Sequence, residues 1–203
     1  MTDSESHFTF KICLVGDSHV GKTDLCKNYV ERATDSSVFR YHKQIENENR
    51  LYTMEIYDLP GAHRHADMAS HMCSGSAGLV YVFDKTRRQT LTRLDDIRER
   101  LKTLGNDAMT SVLVGNRRDS RRPEVVTYED GRAYASKYGM TYFETNLSTE
   151  RENAKQPFDF LFTEIEDRIP DPVHPSALVN QNIHIGPAFD TPEMRAKLFF
   201  SKK

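Results

Sequence analysis

Apolar runs and polar, helix-like stretches alternate along the chain between residues 8 and about 168. Three short runs are almost continuously apolar and a fourth, residues 8–15, begins by alternating and ends apolar, which is typical of parallel strands covered on both faces. These runs are residues 8–15, 79–83, 111–114 and 141–143. Residues 51–57 alternate instead, which predicts a strand nearer an edge of the sheet, and residues 47–49 before them predict a hairpin turn.

Between the runs lie three stretches whose apolar residues recur every three or four positions, as on one face of a helix. They are residues 91–104, 127–138 and 158–169. The second begins with Thr127 and Asp130, a spacing close to that of a helix capping box. Because strands and helices alternate, the chain is predicted to fold as an α/β domain around a mostly parallel sheet.

The pattern changes after Ile169, where Pro170 and Pro172 end the last helical stretch. We therefore predict an N-terminal tail of residues 1–7, one domain of residues 8–169 and an extended or disordered, proline-containing tail of residues 170–203. Within that tail, Pro192 stands at the entry of a short predicted helix, residues 193–200, which carries an apolar patch. That patch either packs on the domain or docks a partner.

Composition narrows the class of protein. The chain has 203 residues and a net charge of −2, so its length fits one domain and no overall basic field favours nucleic acid. No apolar run approaches the roughly 18 residues of a membrane-spanning helix, and the N-terminus lacks the pattern of a secretory signal. The scattered cysteines Cys13, Cys26 and Cys73 indicate reduced thiols in a cytoplasmic protein.

Residues 16–23 match the phosphate-binding pattern G-x-x-x-x-G-K-[ST], with a predicted strand before them and a helical pattern after them. The glycines let the loop curl, so that its N–H groups converge on phosphate oxygens. The residues predicted to bind the phosphates are Gly16, Asp17, Ser18, His19, Val20, Gly21, Lys22 and Thr23. Lys22 would place its charge between the β and γ phosphates, and the Thr23 hydroxyl would bind Mg²⁺.

Asp58 and Gly61 follow the alternating strand in the sequence Asp-Leu-Pro-Gly. An aspartate at a strand end can hold Mg²⁺ through water, and a glycine N–H can meet the γ-phosphate. The predicted magnesium ligands are therefore Thr23 and Asp58, and Gly61 joins the predicted nucleotide-binding residues.

Two further motifs predict recognition of the base. Asn116, Arg117 and Asp119 follow the strand at residues 111–114, and the Asp119 carboxylate would accept hydrogen bonds from N1 and N2 of guanine, a donor pair that adenine lacks. Asn146 and Leu147 follow the last strand, where backbone N–H groups would meet guanine O6. Because ligands bind at the carboxyl ends of parallel strands, these motifs predict one guanine-nucleotide site.

Together the motifs resemble those of Ras-superfamily small GTPases, nearest the Rab branch. GDSHVGKT resembles the Rab phosphate loop, and DLPG, NRRD and ETNLS resemble the family motifs DTAG, NKxD and ETSAK. The resemblance covers about residues 8–169. It implies a P-loop NTPase G-domain with a mostly parallel, six-stranded sheet and helices on both faces, which binds GTP or GDP with Mg²⁺. It also implies protein effectors, and exchange or activating factors, that bind through residues 34–46 and 61–75.

Ala62 stands where the family has the glutamine that orients the attacking water. No catalytic residue is therefore assigned, and we expect very slow GTP hydrolysis. The aromatic residue that covers guanine in the family is not evident either, because counting from the phosphate loop leads to Thr34 and the nearest aromatic residue is Phe39.

The first switch segment is short. Asp58 stands 35 positions after Thr23, which is fewer than the family pattern has. In the family, a threonine of this segment closes over Mg²⁺ and the γ-phosphate. Ser36, Tyr41 and Thr34 all remain open for that role, and Ser36 is the nearest hydroxyl when counting back from Asp58.

Two functions are consistent with this pattern. The first is a Rab-like regulatory switch in vesicle traffic or signalling, with weak or partner-dependent GTP hydrolysis. The second is a pseudo-GTPase scaffold that binds nucleotide without turnover or not at all. Because no cysteine follows Cys73, we expect no prenyl anchor and only peripheral, partner-dependent membrane association.

Overall fold

The computed structural model describes residues 6–30, 39–47, 50–61, 71–102, 109–119, 121–147, 149, 151–169 and 183–185. The strands are β1 (Ser6–Gly16), β2 (Arg40–Asn47), β3 (Arg50–Asp58), β4 (Gly78–Asp84), β5 (Thr110–Asn116), β6 (Thr141–Thr145) and β7 (Ile183–Ile185). The helices are α1 (Lys22–Tyr29), α2 (Arg88–Thr92), α3 (Leu94–Lys102), α4 (Tyr128–Lys137) and α5 (Gln156–Glu166). A 3₁₀ turn (Arg151–Ala154) precedes α5.

The sheet has seven strands, one more than expected, and six of them follow the order β2-β3-β1-β4-β5-β6. The β2–β3 pair is antiparallel and the other neighbours are parallel, which confirms the predicted α/β sheet. Asn47 lies opposite Arg50, so β2 and β3 form the predicted hairpin, with its turn outside the described residues. β1 begins at Ser6, slightly before the predicted domain boundary.

β7 is a short strand from the C-terminal tail that the sequence analysis did not predict. It pairs with β1 in parallel, with Phe8 opposite Ile183 and Phe10 opposite Ile185. β4 begins opposite Ile12 of β1, whereas β7 pairs with Phe8 to Phe10, which come before Ile12 on the same strand. The predicted helix at residues 193–200 lies outside the described residues.

Two buried cores confirm that helices cover both faces of the sheet, because alternate residues of a strand point to opposite faces. Ile12 and Leu14 pack with the α5 stripe, whereas Cys13 and Val15 pack with α2, α3 and α4. The α5 stripe consists of Phe158, Leu161 and Ile165. The end of β1 that leads into the phosphate loop is therefore packed on both faces of the sheet.

The helices follow the predicted pattern with one difference. The predicted helix at residues 91–104 is two helices, α2 and α3, which meet at Arg93. The capping box at α4 is confirmed, since Thr127 Oγ1 accepts a hydrogen bond from the Asp130 N–H at 3.2 Å and the Thr127 N–H donates to Asp130 Oδ2 at 3.1 Å. In the described part of the chain, no helix is long and apolar enough to cross a lipid bilayer.

Candidate nucleotide-binding site

The predicted motifs meet at one edge of the sheet. Gly16 ends β1, Asp58 ends β3, Asn116 ends β5 and Thr145 ends β6. These strands are parallel, so their carboxyl ends lie together, which is where open α/β sheets bind their ligands.

Asn116 ties the phosphate loop to the sheet. Its side chain is fully buried, its Nδ2 donates to Val20 O at 2.8 Å, and its Oδ1 accepts from the Thr145 hydroxyl at 3.2 Å. Gly21 has a φ of 99° just before α1, and a Cβ there would lie 2.1 Å from Asn116 Nδ2. Only glycine therefore fits where the loop turns into the helix.

Arg87 holds the outer side of the phosphate loop. His19 has a φ of 60°, the single positive value among the described non-glycine residues, a conformation that costs about 1–2 kcal/mol. Arg87 donates to His19 O at 2.9 Å and to Ser18 O at 3.4 Å, and its Nε pairs with Asp84 Oδ2 at 2.8 Å. This brace stabilises the left-handed turn.

The Asp17 carboxylate is held by two neighbours. Its Oδ1 accepts from the Ser18 N–H at 2.8 Å, and its Oδ2 pairs with Arg93 at 2.5 Å. Sequence reasoning missed Arg87 and Arg93 because neither stands in a recognised motif: Arg87 precedes the predicted helical stretch of residues 91–104, and Arg93 is one of its polar positions.

Lys22 lies buried inside the loop, where its Nζ donates to Gly16 O at 3.1 Å and to Asp17 O at 2.8 Å. Burial lowers the pKa of Lys22, although the carboxylates of Asp58 and Asp17 oppose that shift. A polyphosphate beside the ammonium group would favour its charged form further.

Thr23 and Asp58 lie in contact and fit a magnesium site. The Thr23 hydroxyl donates to Asp58 Oδ2. Burial raises the pKa of Asp58, although Thr23 and the charge of Lys22 lower it. A buried carboxylate beside a hydroxyl offers the oxygen ligands that Mg²⁺ prefers, and Mg²⁺ favours the ionised carboxylate.

The remaining magnesium and lid residues are only partly described. Ser36 and Thr34 lie outside the described residues. Tyr41 is buried on β2. Phe39 lies at the magnesium end of the cleft, since its carbonyl accepts a hydrogen bond from the Asp58 N–H at 2.9 Å.

Gly61 lies directly against the phosphate loop. A Cβ at Gly61 would approach Ser18 Oγ to 2.1 Å and Ser18 N to 2.6 Å. The segment after β3 therefore packs on the loop at a distance that only glycine permits. Ala62, next along the chain, lies outside the described residues.

Gly61→Ala is expected to lower the affinity for GTP at least about tenfold relative to GDP. The added methyl group pushes residue 61 off Ser18, and its N–H then misses the γ-phosphate, a loss of roughly 1.5–3 kcal/mol for a hydrogen bond to a charged group. Competition of GTP and GDP against fluorescent GDP measures the ratio. Pro60→Ala is the matched control in the same segment, and an unchanged ratio in Gly61→Ala would contradict the predicted contact.

Two cavities lie along this edge. The first, about 410 Å³, is lined by the phosphate loop together with Phe39, Asp58 and Gly61. The second, about 550 Å³, lies on the side of Asp119. Its lining residues are His19, Asp84, Thr86, Arg87, Arg118, Asp119, Arg121 and Arg122. His19 and Arg118 line both cavities.

Asp119 lines the second cavity, and its neighbours keep its carboxyl group ionised. Its Oδ1 accepts from the Arg121 backbone N–H and from Arg121 Nε, both at 3.1 Å, and Arg122 Nε lies 3.6 Å from Oδ2. Hydrogen bonds from Arg121 lower the pKa of Asp119. The group is therefore ionised at neutral pH, as recognition of the guanine N–H pair requires.

The two central arginines of the NRRD motif point in different directions. Arg117 donates to Arg122 O at 3.4 Å and lies 3.6 Å from Glu124. Arg118 lines both cavities, and its Nε lies 3.8 Å from Asp24 on α1. The sequence analysis assigned Arg117 to the nucleotide and left out Arg118, whereas the structure places Arg118 in the cleft.

Asn146 and Leu147 follow β6 beside Asn116, as predicted. Leu147 is partly buried and packs against the core that α1 and α5 cover. Its bulk is therefore accommodated inside the protein.

The loop between β1 and α1, the carboxylate beside its threonine and the second carboxylate after β5 define a P-loop protein of the guanine-nucleotide-binding type. The chain belongs to the Ras family, whose family model matches residues 11–167.

Curated relatives of this chain include several Rab proteins. Ras-related protein Rab2BV of Beta vulgaris is 30% identical over 80% of this chain and 78% of its own length. Ras-related protein Rab-3D of Mus musculus is 29% identical over 94% of this chain and 89% of its own length. Ras-related protein RABA1b of Arabidopsis thaliana is 28% identical over 80% of this chain and 78% of its own length. The resemblance to Rab-like small GTPases is therefore confirmed.

Proposed function

We propose that this protein binds GTP and GDP with Mg²⁺ and acts as a regulatory switch whose GTP hydrolysis is weak or depends on a partner. One observation supports this most. Buried Lys22, the Thr23–Asp58 pair and Asp119 all lie at the edge of the sheet where the parallel strands end. Members of the Ras family act as small GTPase switches, which supports the coarser part of the proposal.

Each residue has a distinct task in this proposal. When nucleotide binds, Lys22 Nζ donates to phosphate oxygens in place of the carbonyl oxygens of Gly16 and Asp17. Its buried charge therefore keeps its hydrogen-bond acceptors. Thr23 and Asp58 hold Mg²⁺, which when bound neutralises charge on the β and γ phosphates. Asp119 selects guanine through its two acceptor oxygens. Arg87 keeps the loop in shape through its hydrogen bonds to Ser18 O and His19 O.

Mass spectrometry of the nucleotide that copurifies with the full chain tests the proposal. GDP or GTP in the sample, exchangeable for fluorescent GDP in the presence of Mg²⁺, is the expected result. Displacement of that probe by GTP but not by ATP confirms base selection. Failure to bind any guanine nucleotide at millimolar concentration would refute the proposal.

A pseudo-GTPase scaffold is the second candidate, and Ala62 at the glutamine position is the observation that favours it. A regulatory switch and a scaffold that retains nucleotide both bind guanine nucleotide, so binding alone does not separate them. The rate of single-turnover GTP hydrolysis does. A rate equal to that of an ordinary small GTPase excludes the scaffold.

Ala62→Gln is expected to raise single-turnover GTP hydrolysis at least about tenfold, because a glutamine side chain orients the attacking water and such catalytic contributions are typically about 100-fold or more in rate. Ala66→Gln, in the same segment, is the control and leaves the rate unchanged. If Ala62→Gln binds GTP normally yet hydrolyses it no faster, the scaffold function is favoured.

We further propose that protein partners contact residues 34–46 and 61–75. β2 supports this, since it is an edge strand of the sheet and supplies residues 40–46 of the first segment. Edge strands present unpaired backbone groups to other chains. A role in vesicle traffic or signalling remains a prediction, and affinity capture with the GTP- and GDP-loaded protein tests it.

A further inference from the structure

Two buried thiols from distant parts of the chain meet under the sheet. Cys13 lies on β1, and Cys73 lies in the helical turn at residues 71–73. Both side chains are fully buried in the core that α2, α3 and α4 cover, and Cys13 Sγ contacts the carbonyl of Met72, the residue directly before Cys73. The third cysteine, Cys26, lies on α1 in the opposite core.

The surroundings of this thiol pair are polar. Cys13 Sγ lies 3.1 Å from the Ser76 hydroxyl and donates to Met72 O at 3.6 Å. Lys11, two residues before Cys13, donates from its Nζ to Ser74 O at 3.2 Å. A hydroxyl and an ammonium group beside a thiol stabilise its thiolate, which a purely apolar pocket does not.

Main-chain hydrogen bonds hold the turn against β1. The Ala77 N–H donates to Lys11 O at 2.9 Å, and the Ser76 N–H donates to Cys73 O at 3.1 Å. Ser74 and Gly75, which follow Cys73 in this turn, are exposed. Local opening of the exposed turn would admit a small oxidant to the thiols.

The two thiols differ in acidity in the way that a reacting pair requires. Burial raises the pKa of Cys13, but the hydrogen bonds from Cys73 and Ser76 and the charge of Lys11 together bring it below its ordinary value. The hydrogen bond to Cys13, together with burial, raises the pKa of Cys73. Burial raises the pKa of Cys26 well above its ordinary value, which makes it the inert comparison.

We infer that Cys13 and Cys73 form a modification site for a peroxide, which converts the contacting thiols into a reversible disulfide. The Cys13 thiolate attacks one peroxide oxygen, the O–O bond breaks, and water leaves after protonation. The sulfur of Cys73 then attacks the sulfenic sulfur of Cys13, and a second water leaves. In sum, two thiols and one hydrogen peroxide give one disulfide and two waters, and a thiol such as glutathione reduces it again.

The disulfide would act on the nucleotide site through β1. It would close a ring from Cys13 to Cys73 that contains the phosphate loop, β3 and Gly61, and it would fix the end of segment 61–75 to the strand that leads into Gly16. This consequence rests on the proposed function. Because β1 and the turn then cannot separate, we expect release of fluorescent GDP to slow at least about threefold, as cross-linked elements open less often.

The test treats the full, reduced chain with hydrogen peroxide and digests it with trypsin without reduction. The expected product joins peptide 12–22 to peptide 65–85, and its mass is lower than the sum of the two by two hydrogens. Cys26, in peptide 23–27, stays alkylatable after unfolding. Dithiothreitol restores both free peptides.

Three serine variants make the test specific. Cys26→Ser forms the disulfide as the parent does. Cys73→Ser accumulates a Cys13 sulfenic acid that dimedone traps, whereas Cys13→Ser accumulates none at Cys73. The proposal is overturned if no 12–22/65–85 product forms, or if Cys26 oxidises as fast as Cys13.

Nucleotide release is measured separately in the oxidised and reduced protein. Slower release in the parent, with no change in Cys73→Ser, supports the link to the nucleotide site. An unchanged release rate with the disulfide present overturns that link. If the protein binds no nucleotide at all, the proposed function fails while the disulfide result stands.

Discussion

Lys22→Ala is expected to lower the affinity for both GTP and GDP at least about 100-fold. The Lys22 ammonium group is buried in the loop, where it reaches two carbonyl oxygens and lies beside the Asp58 carboxylate. Each hydrogen bond from a charged donor contributes roughly 1.5–3 kcal/mol, so the loss of two phosphate contacts predicts an effect of this size. Titration with fluorescent GDP measures it.

Lys27→Ala is the matched control, because Lys27 is an exposed lysine on the same helix. It is expected to bind as the parent does. The melting temperature of each variant without added nucleotide separates lost binding from lost folding. Binding of GTP by a folded Lys22→Ala variant within about threefold of the parent, or less than 1 kcal/mol, would contradict the assigned phosphate site.

Asp119→Asn is expected to exchange guanine preference for xanthine preference. The Asp119 carboxylate offers two acceptors, which suit the N1 and N2 donors of guanine. Asparagine offers one acceptor and one donor, which suit N1–H and the 2-oxo group of xanthine. An unmatched polar pair in the site costs roughly 1–3 kcal/mol, so we expect GTP affinity to fall about 10- to 100-fold and XTP affinity to rise.

Competition of GTP, XTP and ATP against fluorescent nucleotide measures that exchange. Arg121→Ala is the comparison, because Arg121 is exposed and lines the same cavity as Asp119 but offers no acceptor to the N1 and N2 donors of guanine. It is expected to keep guanine preference. If Asp119→Asn still prefers GTP over XTP, the base is read by other residues.

Much of the site was predictable because its chemistry is local in sequence. The phosphate loop needs its glycines, Lys22 and Thr23 within eight consecutive positions. Asp58 and Asp119 were also predicted, since each follows a strand whose apolar pattern is visible. These motifs require particular backbone geometry, and few other residue types fit at their positions. The close approach of Gly61 to Ser18 is one example.

The residues that brace the loop were not predictable. Arg93 reaches Asp17 across 76 positions, and Arg87 reaches His19 across 68. Arg118 and Arg117 are adjacent and chemically identical in the sequence, yet only Arg118 lines the cleft. Side-chain direction at such positions depends on where the neighbouring elements lie.

β7 illustrates the same limit at the level of the fold. Three residues in a polar tail form no pattern long enough to predict a strand. The strand exists because β1 extends beyond the start of β4, which leaves backbone groups of Phe8 to Phe10 on that edge for pairing. Such pairing uses main-chain hydrogen bonds, which carry little sequence signature.

The sequence by itself determined the α/β class, the edge of the sheet where the motifs meet and the carboxylate that we propose selects guanine, because periodicity and short motifs report local backbone requirements. The tertiary structure alone decided which arginines brace the loop, how the tail joins the sheet and that Cys13 meets Cys73. The reason is physical: these contacts join residues far apart in the chain, and their distances follow from strand order and register, which many sequences share and no single segment encodes.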